Sequence, residues 1–159
     1  MIRPATSTDM PAVMSLIREL AEYEKAGHEV RNTVEQMVTD GFGEHPVFGC
    51  FVAEADGGIV GMAVYYFRYS TWKGKRLWLE DIVVTREHRG KGYGKDLFLR
   101  VLKHSLEQGC TGVMWQVLDW NEPAIGFYEK HGARFDDEWI NCHLEADGIE
   151  RLLGQSEKD

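Results

Sequence analysis

The sequence of 159 residues lacks the features of a membrane protein, a secreted protein or a nucleic-acid-binding protein. Its longest apolar run, Ile59–Phe67, is much shorter than the ~20 residues of a membrane-spanning helix. No basic segment followed by an apolar one opens the chain, so we expect no signal peptide, a cytoplasmic location and no membrane partner. Lys and Arg number 18 against 26 Asp and Glu, and the net charge of −8 repels nucleic acid and attracts small cations.

Cysteine and metal-ligand patterns are scarce as well. The three cysteines, Cys50, Cys110 and Cys142, are odd in number and have no metal-type spacing, so we expect reduced and partly buried thiols. The six histidines form no H-x-H or H-E-x-x-H pattern. The sequence therefore predicts no bound metal.

An apolar content of 43% is typical of a packed globular chain, and no repeat or linker divides it, so one domain over residues 1–159 is predicted. Apolar periodicity and turn residues indicate an antiparallel meander followed by a strand–helix–strand unit. That order predicts a mixed sheet with helices on both faces. The predicted strands are a short one near the N-terminus, 47–55, 59–70, 76–85, 113–118 and one near 139–144. The predicted helices are one carrying Met10 to Ala21, 33–40, 95–106, one opening at Pro123, and a tail with Ile149, Leu152 and Leu153 at helical spacing.

The most informative segment is glycine-rich, REHRGKGYGKDLF at residues 86–98. Glycines before a helix let the backbone approach an anion and adopt positive φ, and the helix N-terminus adds unpaired N–H groups. The segment is not a P-loop, because its Gly-Lys pair is followed by Asp96 rather than by Ser or Thr. It is not a dinucleotide fingerprint either, because that motif has the spacing G-x-G-x-x-G, whereas the three glycines here stand at every second position. The pattern that remains is R-x-x-G-x-G, filled by Arg89, Gly92 and Gly94.

This pattern, placed after the strand LWLEDIVV and before a helix, resembles the pyrophosphate-binding motif of the GNAT N-acetyltransferase superfamily. The opening RPAT and the order of elements resemble that family over nearly the whole chain. Five segments, LAEYEK, DGFGEHP, YYFRYSTWKGK, LWLEDIVV and DWNEPAIGFYEKHGA, are similar to the spermidine/spermine (diamine) acetyltransferases and to their thialysine-acetylating paralogue. The resemblance implies an α/β (α+β) fold with a mixed, mostly antiparallel central sheet, in which a splayed strand pair holds acetyl-coenzyme A.

The resemblance also implies where the co-substrate binds. The backbone of Ile82, Val83 and Val84 is expected to pair with the pantetheine arm like an added strand, while their side chains pack in the core. The pyrophosphate is expected to lie against Arg89, Gly90, Lys91, Gly92, Tyr93, Gly94 and Lys95. The later segment DWNEPA is expected to line the co-substrate through Asn121, Glu122, Pro123 and Ala124. Those residues also predict a helix start with a capping Asn and a Pro in the first turn, and both roles are open to Asn121.

The acid of the reaction is expected to be Tyr128, which matches the tyrosine of GFYEKHGA and also contacts the co-substrate in the family. Acyl transfer from a thioester releases a thiolate, which a nearby phenol can protonate. The structural alternative for Tyr128 is an aromatic core residue with a hydrogen-bonded hydroxyl. No cysteine has a place in the matched motifs, which argues for direct attack by the amine rather than for an acetyl-enzyme.

The acceptor amine is protonated near pH 7 and must lose a proton before it can attack. The candidate bases are Glu80, Asp81 and Glu24. Adjacent residues of a strand point to opposite faces, so only one of Glu80 and Asp81 is expected to face the cleft. The resemblance favours Glu80, acting through water, as the base, and the alternative for Glu24 is a solvated helix face. The implied acceptor contacts are Tyr23, Glu24, Glu80, Met114, Trp115, Gln116 and Asp137.

Several carboxylates around a slot favour a small cationic amine. The sequence interpretation is an acetyl-coenzyme A-dependent N-acetyltransferase that acts on a polyamine or diamine such as spermidine or spermine. The alternative acceptor is thialysine or another lysine-like amine. Two alternatives of other classes are a non-catalytic acyl-coenzyme A sensor and a nucleotide-binding module, and the loop spacing disfavours the second. Members of this group are commonly homodimers, so a homodimer is expected.

Overall fold

The computed structural model describes residues 1–156, and the chain forms two compact units, Met1–Gln116 and Val117–Asp159. The strands are β1 (Ile2–Pro4), β2 (Gly49–Ala55), β3 (Gly58–Ser70), β4 (Gly74–Val84) and β5 (Val113–Met114). The helices are α1 (Met10–Tyr23), α2 (Val34–Phe42), α3 (Tyr93–Glu107), α4 (Glu122–Lys130) and α5 (Ala146–Ser156). All five strands and the first three helices belong to the first unit.

The first unit is built on one sheet with the strand order β1-β2-β3-β4-β5. The first three pairings are antiparallel, and β4 and β5 are parallel, as a strand–helix–strand unit requires. The β2–β3 hairpin turns through Asp56 and Gly57, whose φ angles of 51° and 78° are the positive values that tight two-residue hairpin turns need. The predicted mixed sheet and its hairpin are confirmed.

Helices cover both faces of this sheet, as predicted. On the α3 face, His104 packs edge-on against Phe51 and Tyr65, with ring centroids 5.3 and 4.9 Å apart. On the other face, α1 and α2 lie over apolar side chains of the strands and form a continuous core with them. That core contains Met10, Val13, Met14, Leu16, Met37, Cys50, Val52, Met62, Val64 and Val83.

Two predicted strands differ from the structure. The strand expected over 113–118 is shorter in the structure and consists only of β5, because its pairing with β4 stops after Met114. The strand expected near 139–144 is wrong, since within the described residues this segment joins no ladder. Ile140, Cys142 and Leu144 do alternate as in a strand, but a strand forms only where a neighbour accepts its hydrogen bonds. The α5 prediction is confirmed, and its three apolar side chains are exposed.

The N-terminal strand is tied to α1 by the buried carboxylate of Asp9. Its oxygens accept hydrogen bonds from Arg3 Nη1 and Nη2 at 2.7 and 2.9 Å. They also accept from the Thr6 amide and hydroxyl at 2.7 and 2.9 Å. The Arg3 guanidinium, which donates the strongest of these bonds, holds the pKa of Asp9 well below its usual range.

Replacing Asp9 with Asn is expected to lower the free energy of unfolding by about 2 kcal/mol near pH 7, because charge-assisted hydrogen bonds are lost. The native pKa lies below the unfolded value of ~3.9, so this stabilisation is complete above about pH 5 and fades as the pH falls further. Denaturant titrations at several pH values measure the difference between the two proteins. A difference that persists unchanged at pH 3 contradicts the assignment, and Asp119→Asn at an exposed position is the control.

Candidate active site

The glycine-rich segment forms a sharp turn between β4 and α3. A 3-10 turn at Arg86–His88 follows the strand, and the next residues include Gly90 and Gly92 with φ of 75° and 93°. A Cβ placed on either glycine meets no atom within 4 Å, so it is the backbone conformation that requires glycine there, and the space beside the turn is open. Because α3 begins at Tyr93, the N–H groups of its first turn have no acceptor inside the helix.

This turn fits an anionic group such as a pyrophosphate. The amides at the start of α3 point out of the helix, its dipole places partial positive charge at the same end, and Lys91 and Lys95 are exposed beside it. The arrangement agrees with the phosphate-binding role that the sequence predicts for residues 89–95, and that role stays a prediction.

Arg89 has a further, structural role that the sequence did not indicate. Its Nε donates to the carbonyl oxygen of Val84 at 3.0 Å, and its Nη2 donates to Glu19 Oε1 at 3.3 Å. The guanidinium also lies over the ring of Tyr23, 5.6 Å from its centroid. Arg89 therefore fastens the turn to the end of β4 and to α1.

His88 is a second supporting residue that sequence reasoning missed. Its Nδ1 lies 3.0 Å from Thr85 Oγ1, and its Nε2 lies 3.1 Å from Asp56 Oδ2 at the tip of the β2–β3 hairpin. This contact lowers the pKa of Asp56, with a smaller effect from Lys91. Only the hairpin geometry brings residues 56 and 88 together, and no local pattern in the sequence signals it.

The β4 and β5 strands separate soon after they begin to pair. They pair at Leu77 with Val113 and at Trp78 with Met114, and β4 then continues alone on that side to Val84. The edge of β4 that carries Ile82 to Val84 is thus outside the β4–β5 ladder, which is what the predicted pantetheine site requires. Val83 and Val84 also pack in the core, as predicted, and the pantetheine-binding role of this segment stays a prediction.

A β-bulge in β4 changes the predicted direction of its carboxylates. In the ladder with β3, Tyr65 faces Leu79 and Val64 faces Asp81, so Glu80 is the extra residue. Tyr65 packs on α3, whereas Val64 belongs to the α1 core, so Asp81 lies on the α1 face.

Glu80 lies on the same face as Asp81. Its Oε2 accepts a hydrogen bond of 2.7 Å from the indole Nε1 of Trp78. Trp78 pairs with Tyr66, and the centroids of the two rings lie 6.3 Å apart. Tyr66 is two residues after Val64 in β3, so both side chains point to the α1 face, and Trp78 lies there with them. The expectation that Glu80 and Asp81 face opposite sides is therefore wrong, because the bulge interrupts the alternation.

Glu24 and Glu80 both lie close enough to Asp81 for their charges to act on it, and we call these three candidate bases the acidic cluster. Burial raises the pKa of Asp81 to about 6, with further increases from the charges of Glu80 and Glu24. Burial also raises the pKa of Glu24, which follows the last residue of α1. A carboxylate with a pKa near 6 is a better base than an ordinary one and still ionises at neutral pH. Asp81 is thus the strongest candidate base of the three.

The predicted acceptor contacts fall at several places. Tyr23 ends α1 and is exposed, and Met114 lies opposite Trp78 on the side of the acidic cluster. Trp115 packs edge-on against Phe98 of α3 at 5.4 Å, so its ring belongs to the other face. The sequence missed Tyr66 and Arg68, which lie beside Trp78; Arg68 is 5.4 Å from its ring centroid. The remaining predicted contacts are Gln116 after β5 and Asp137, an exposed residue in the second unit.

The second unit carries the residues predicted from DWNEPAIGFY on one helix. Asn121 caps α4, its Oδ1 accepting from the Ala124 amide at 3.4 Å, and Glu122 and Pro123 form the first turn. Tyr128 is buried on this helix, and burial raises its pKa to about 12. The capping role of Asn121 is thereby confirmed, and a phenol with this pKa stays protonated at neutral pH.

The cysteines do not form a disulfide within the described residues. Cys50 and Cys110 are buried and Cys142 is exposed. Burial raises the pKa of Cys50 to about 12, so its thiol is a poor nucleophile at neutral pH. Among residues 1–156, no three His, Cys, Asp or Glu side chains are placed so that they could hold one metal ion, and no helix is long and apolar enough to cross a bilayer.

Comparisons with known proteins identify the family and the fold of this chain. The family model described as the acetyltransferase (GNAT) family matches residues 11–133. Thialysine N-epsilon-acetyltransferase of Bos taurus is 41% identical over 98% of this chain and 98% of its own length. Spermidine/spermine N(1)-acetyltransferase-like protein 1 of Homo sapiens is 35% identical over 96% of this chain, which corresponds to 23% of that longer protein. A solved integron cassette protein from the mobile metagenome of V. cholerae shares the fold, with a TM-score of 0.76 at 21% identity over 96% of each chain.

These matches show that the protein is an acyltransferase enzyme. The chain belongs to the GNAT acetyltransferase family, as the match over residues 11–133 and the identity to full-length relatives show. It catalyses acetyl transfer to an amine, and acetyl-coenzyme A is the co-substrate of the family.

Proposed function

We propose that this protein transfers acetyl from acetyl-coenzyme A directly to the side-chain amine of thialysine or a similar lysine-like molecule. The observation that carries the proposal is the acidic cluster of Glu24, Glu80 and Asp81 on the α1 face of β4. Such a cluster attracts an ammonium group and can take its proton. The identity of about 40% to thialysine acetyltransferases favours this acceptor over the polyamine preferred in the sequence interpretation.

Proton transfers divide the work between two side chains. Asp81 takes a proton from the acceptor ammonium, and the neutral nitrogen then attacks the thioester carbon. Tyr128 gives its proton to the sulfur as the carbon–sulfur bond breaks, and so supplies the free thiol. The attacking nitrogen loses its second proton as the amide forms, and this proton restores the phenol of Tyr128 through solvent. Asp81 releases the proton that it took to water. Glu80, named as base by the sequence resemblance, here holds the indole of Trp78 and strengthens the field at Asp81.

A polyamine acceptor remains the second candidate, because three carboxylates in one cluster also suit a chain with several ammonium groups. A homodimer also remains a proposal, supported by the exposed apolar side chains of Ile149, Leu152 and Leu153 on α5.

An acceptor panel tests the function. Release of free coenzyme A is measured with thialysine, lysine, ornithine, putrescine, spermidine and spermine. We expect the highest kcat/KM for thialysine. A higher value for spermidine or spermine supports the second candidate instead, and turnover of only an aminoglycoside or a protein N-terminus contradicts both. Tight acetyl-coenzyme A binding without turnover of any amine points to a sensor.

A further inference from the structure

A separate cleft lies between the second half of α1 and the turn that follows β4. Its volume is about 390 Å³, and it is lined by Glu19, Tyr23, Arg86 and Arg89. It therefore combines one anionic side chain, two cationic ones and an aromatic ring. None of the residues predicted for the acceptor amine other than Tyr23 lies in it, so it is distinct from the acidic cluster.

The charges of this cleft are only partly used within the protein. One carboxylate oxygen of Glu19, Oε1, accepts from the Arg86 amide at 3.1 Å and from Arg89 Nη2 at 3.3 Å. Its second oxygen has no hydrogen bond to the described residues. The exposed guanidinium of Arg86 makes no ion pair within residues 1–156. The cleft can therefore pair with both signs of charge in one ligand.

We propose that this cleft binds the α-carboxylate and α-ammonium groups of the acceptor. The inference rests on the proposed function and adds to it the residues that recognise the amino-acid end of the acceptor. The carboxylate pairs with the Arg86 guanidinium and with the remaining donors of Arg89. The ammonium pairs with the second oxygen of Glu19 and lies against the ring of Tyr23.

The two ends of such an acceptor match the spacing of the two sites. Tyr23 in the cleft is followed directly by Glu24, whose charge acts on Asp81. Asp81 is three strand residues, or about 10 Å, from Val84, whose carbonyl holds Arg89. In thialysine, five bonds separate the side-chain nitrogen from Cα, which is about 6 Å in the extended molecule. The carboxylate of the acceptor and the guanidinium groups of the cleft span the rest of the distance.

The cleft is also expected to disfavour polyamines. A diamine has no carboxylate, so its second ammonium would lie beside two guanidinium groups, where like charges repel. An amino acid with the same chain length instead gains charge-assisted hydrogen bonds. The cleft is thus expected to distinguish an amino acid from a diamine by the carboxylate of the amino acid.

The test compares thialysine with its decarboxylated analogue, bis(2-aminoethyl) sulfide, in the full chain. The measured quantity is the ratio of their kcat/KM values. Arg86→Gln is expected to lower this ratio by about tenfold or more, since it removes a charged hydrogen-bonding partner. Arg86→Lys is expected to give an intermediate ratio, because it keeps the charge but not the planar fork. Arg18→Gln removes an exposed arginine of α1, the helix that carries Glu19 and Tyr23, and is expected to leave the ratio unchanged.

An unchanged ratio in Arg86→Gln overturns the inference, and an increase in KM for acetyl-coenzyme A with an unchanged ratio shows that the cleft belongs to the co-substrate. In both outcomes the wild-type enzyme still acetylates thialysine, so the proposed function stands. If the wild-type protein turns over neither compound, the proposed function and this inference both fail. The thermal unfolding of each variant shows whether it is folded. A lower ratio of kcat/KM values that is found only in a misfolded variant also counts against the inference.

Discussion

Asp81→Asn is expected to lower kcat/KM for the amine acceptor by about 10²–10⁴-fold, the usual loss when a general base is removed, because we propose Asp81 as that base. In the wild-type enzyme, the acid limb of the pH profile should reflect a carboxylate with a pKa of about 6, because burial and the neighbouring charges of Glu80 and Glu24 disfavour its ionisation. Activity falls below this pH as Asp81 becomes protonated. The residual activity of the variant should lack this limb.

The matched control is Glu80→Gln, which changes the neighbouring carboxylate on the same face of the bulge. Asp81 is the better base by its environment, so Glu80→Gln is expected to lose far less activity and to move the acid limb to lower pH, since a charge near Asp81 is removed. If Glu80→Gln abolishes turnover while Asp81→Asn stays active, the base is Glu80, as the sequence resemblance implies.

Stability distinguishes this effect from misfolding. The native pKa of Asp81 is raised above its unfolded value of ~3.9, so its ionisation opposes folding, and stability is lost as the pH rises from about 4 through 6. Asp81→Asn should therefore unfold at a higher temperature than the wild type at pH 7.5. A lower melting temperature at that pH contradicts this account of the site.

Tyr128→Phe is expected to lower kcat by about 10²-fold or more and to leave KM for both substrates nearly unchanged, because the substitution removes only the hydroxyl that we propose as the acid for the departing thiolate. Burial raises the pKa of Tyr128 to about 12, so the phenol keeps its proton over the whole working range. Wild-type kcat should consequently show no basic limb from this residue below about pH 10. Steady-state kinetics from pH 6 to 9.5 measures both effects.

The control for this variant is Tyr69→Phe, which removes the hydroxyl of a tyrosine that is 75% exposed on β3. It is expected to change neither kcat nor KM. Unchanged kcat in Tyr128→Phe across the pH range removes Tyr128 from the reaction and leaves it as an aromatic residue of α4. The phenylalanine keeps the buried ring, so a folding defect is not expected.

Much of the fold could be predicted from local patterns. The Asp56-Gly57 turn, the Asn121 cap and the helix after the glycine-rich turn all depend on residues close in sequence, and all three are found. The strand near 139–144 could not be judged in this way. Its alternation is strand-like, but pairing partners lie far along the chain or are absent from the described part of it.

The sequence by itself determined the chemistry of the family. Alternating glycines before a helix and a tyrosine in GFYEKHGA are local features, and backbone conformation and side-chain type suffice to recognise them. The tertiary structure alone decided which carboxylates act together and what Arg89 holds. A single bulged residue in β4 turns Glu80 and Asp81 to one face, and the approach of α1 adds Glu24 to the cluster and Glu19 to the turn. These contacts join residues more than 50 positions apart, and burial and charge act through space rather than along the chain.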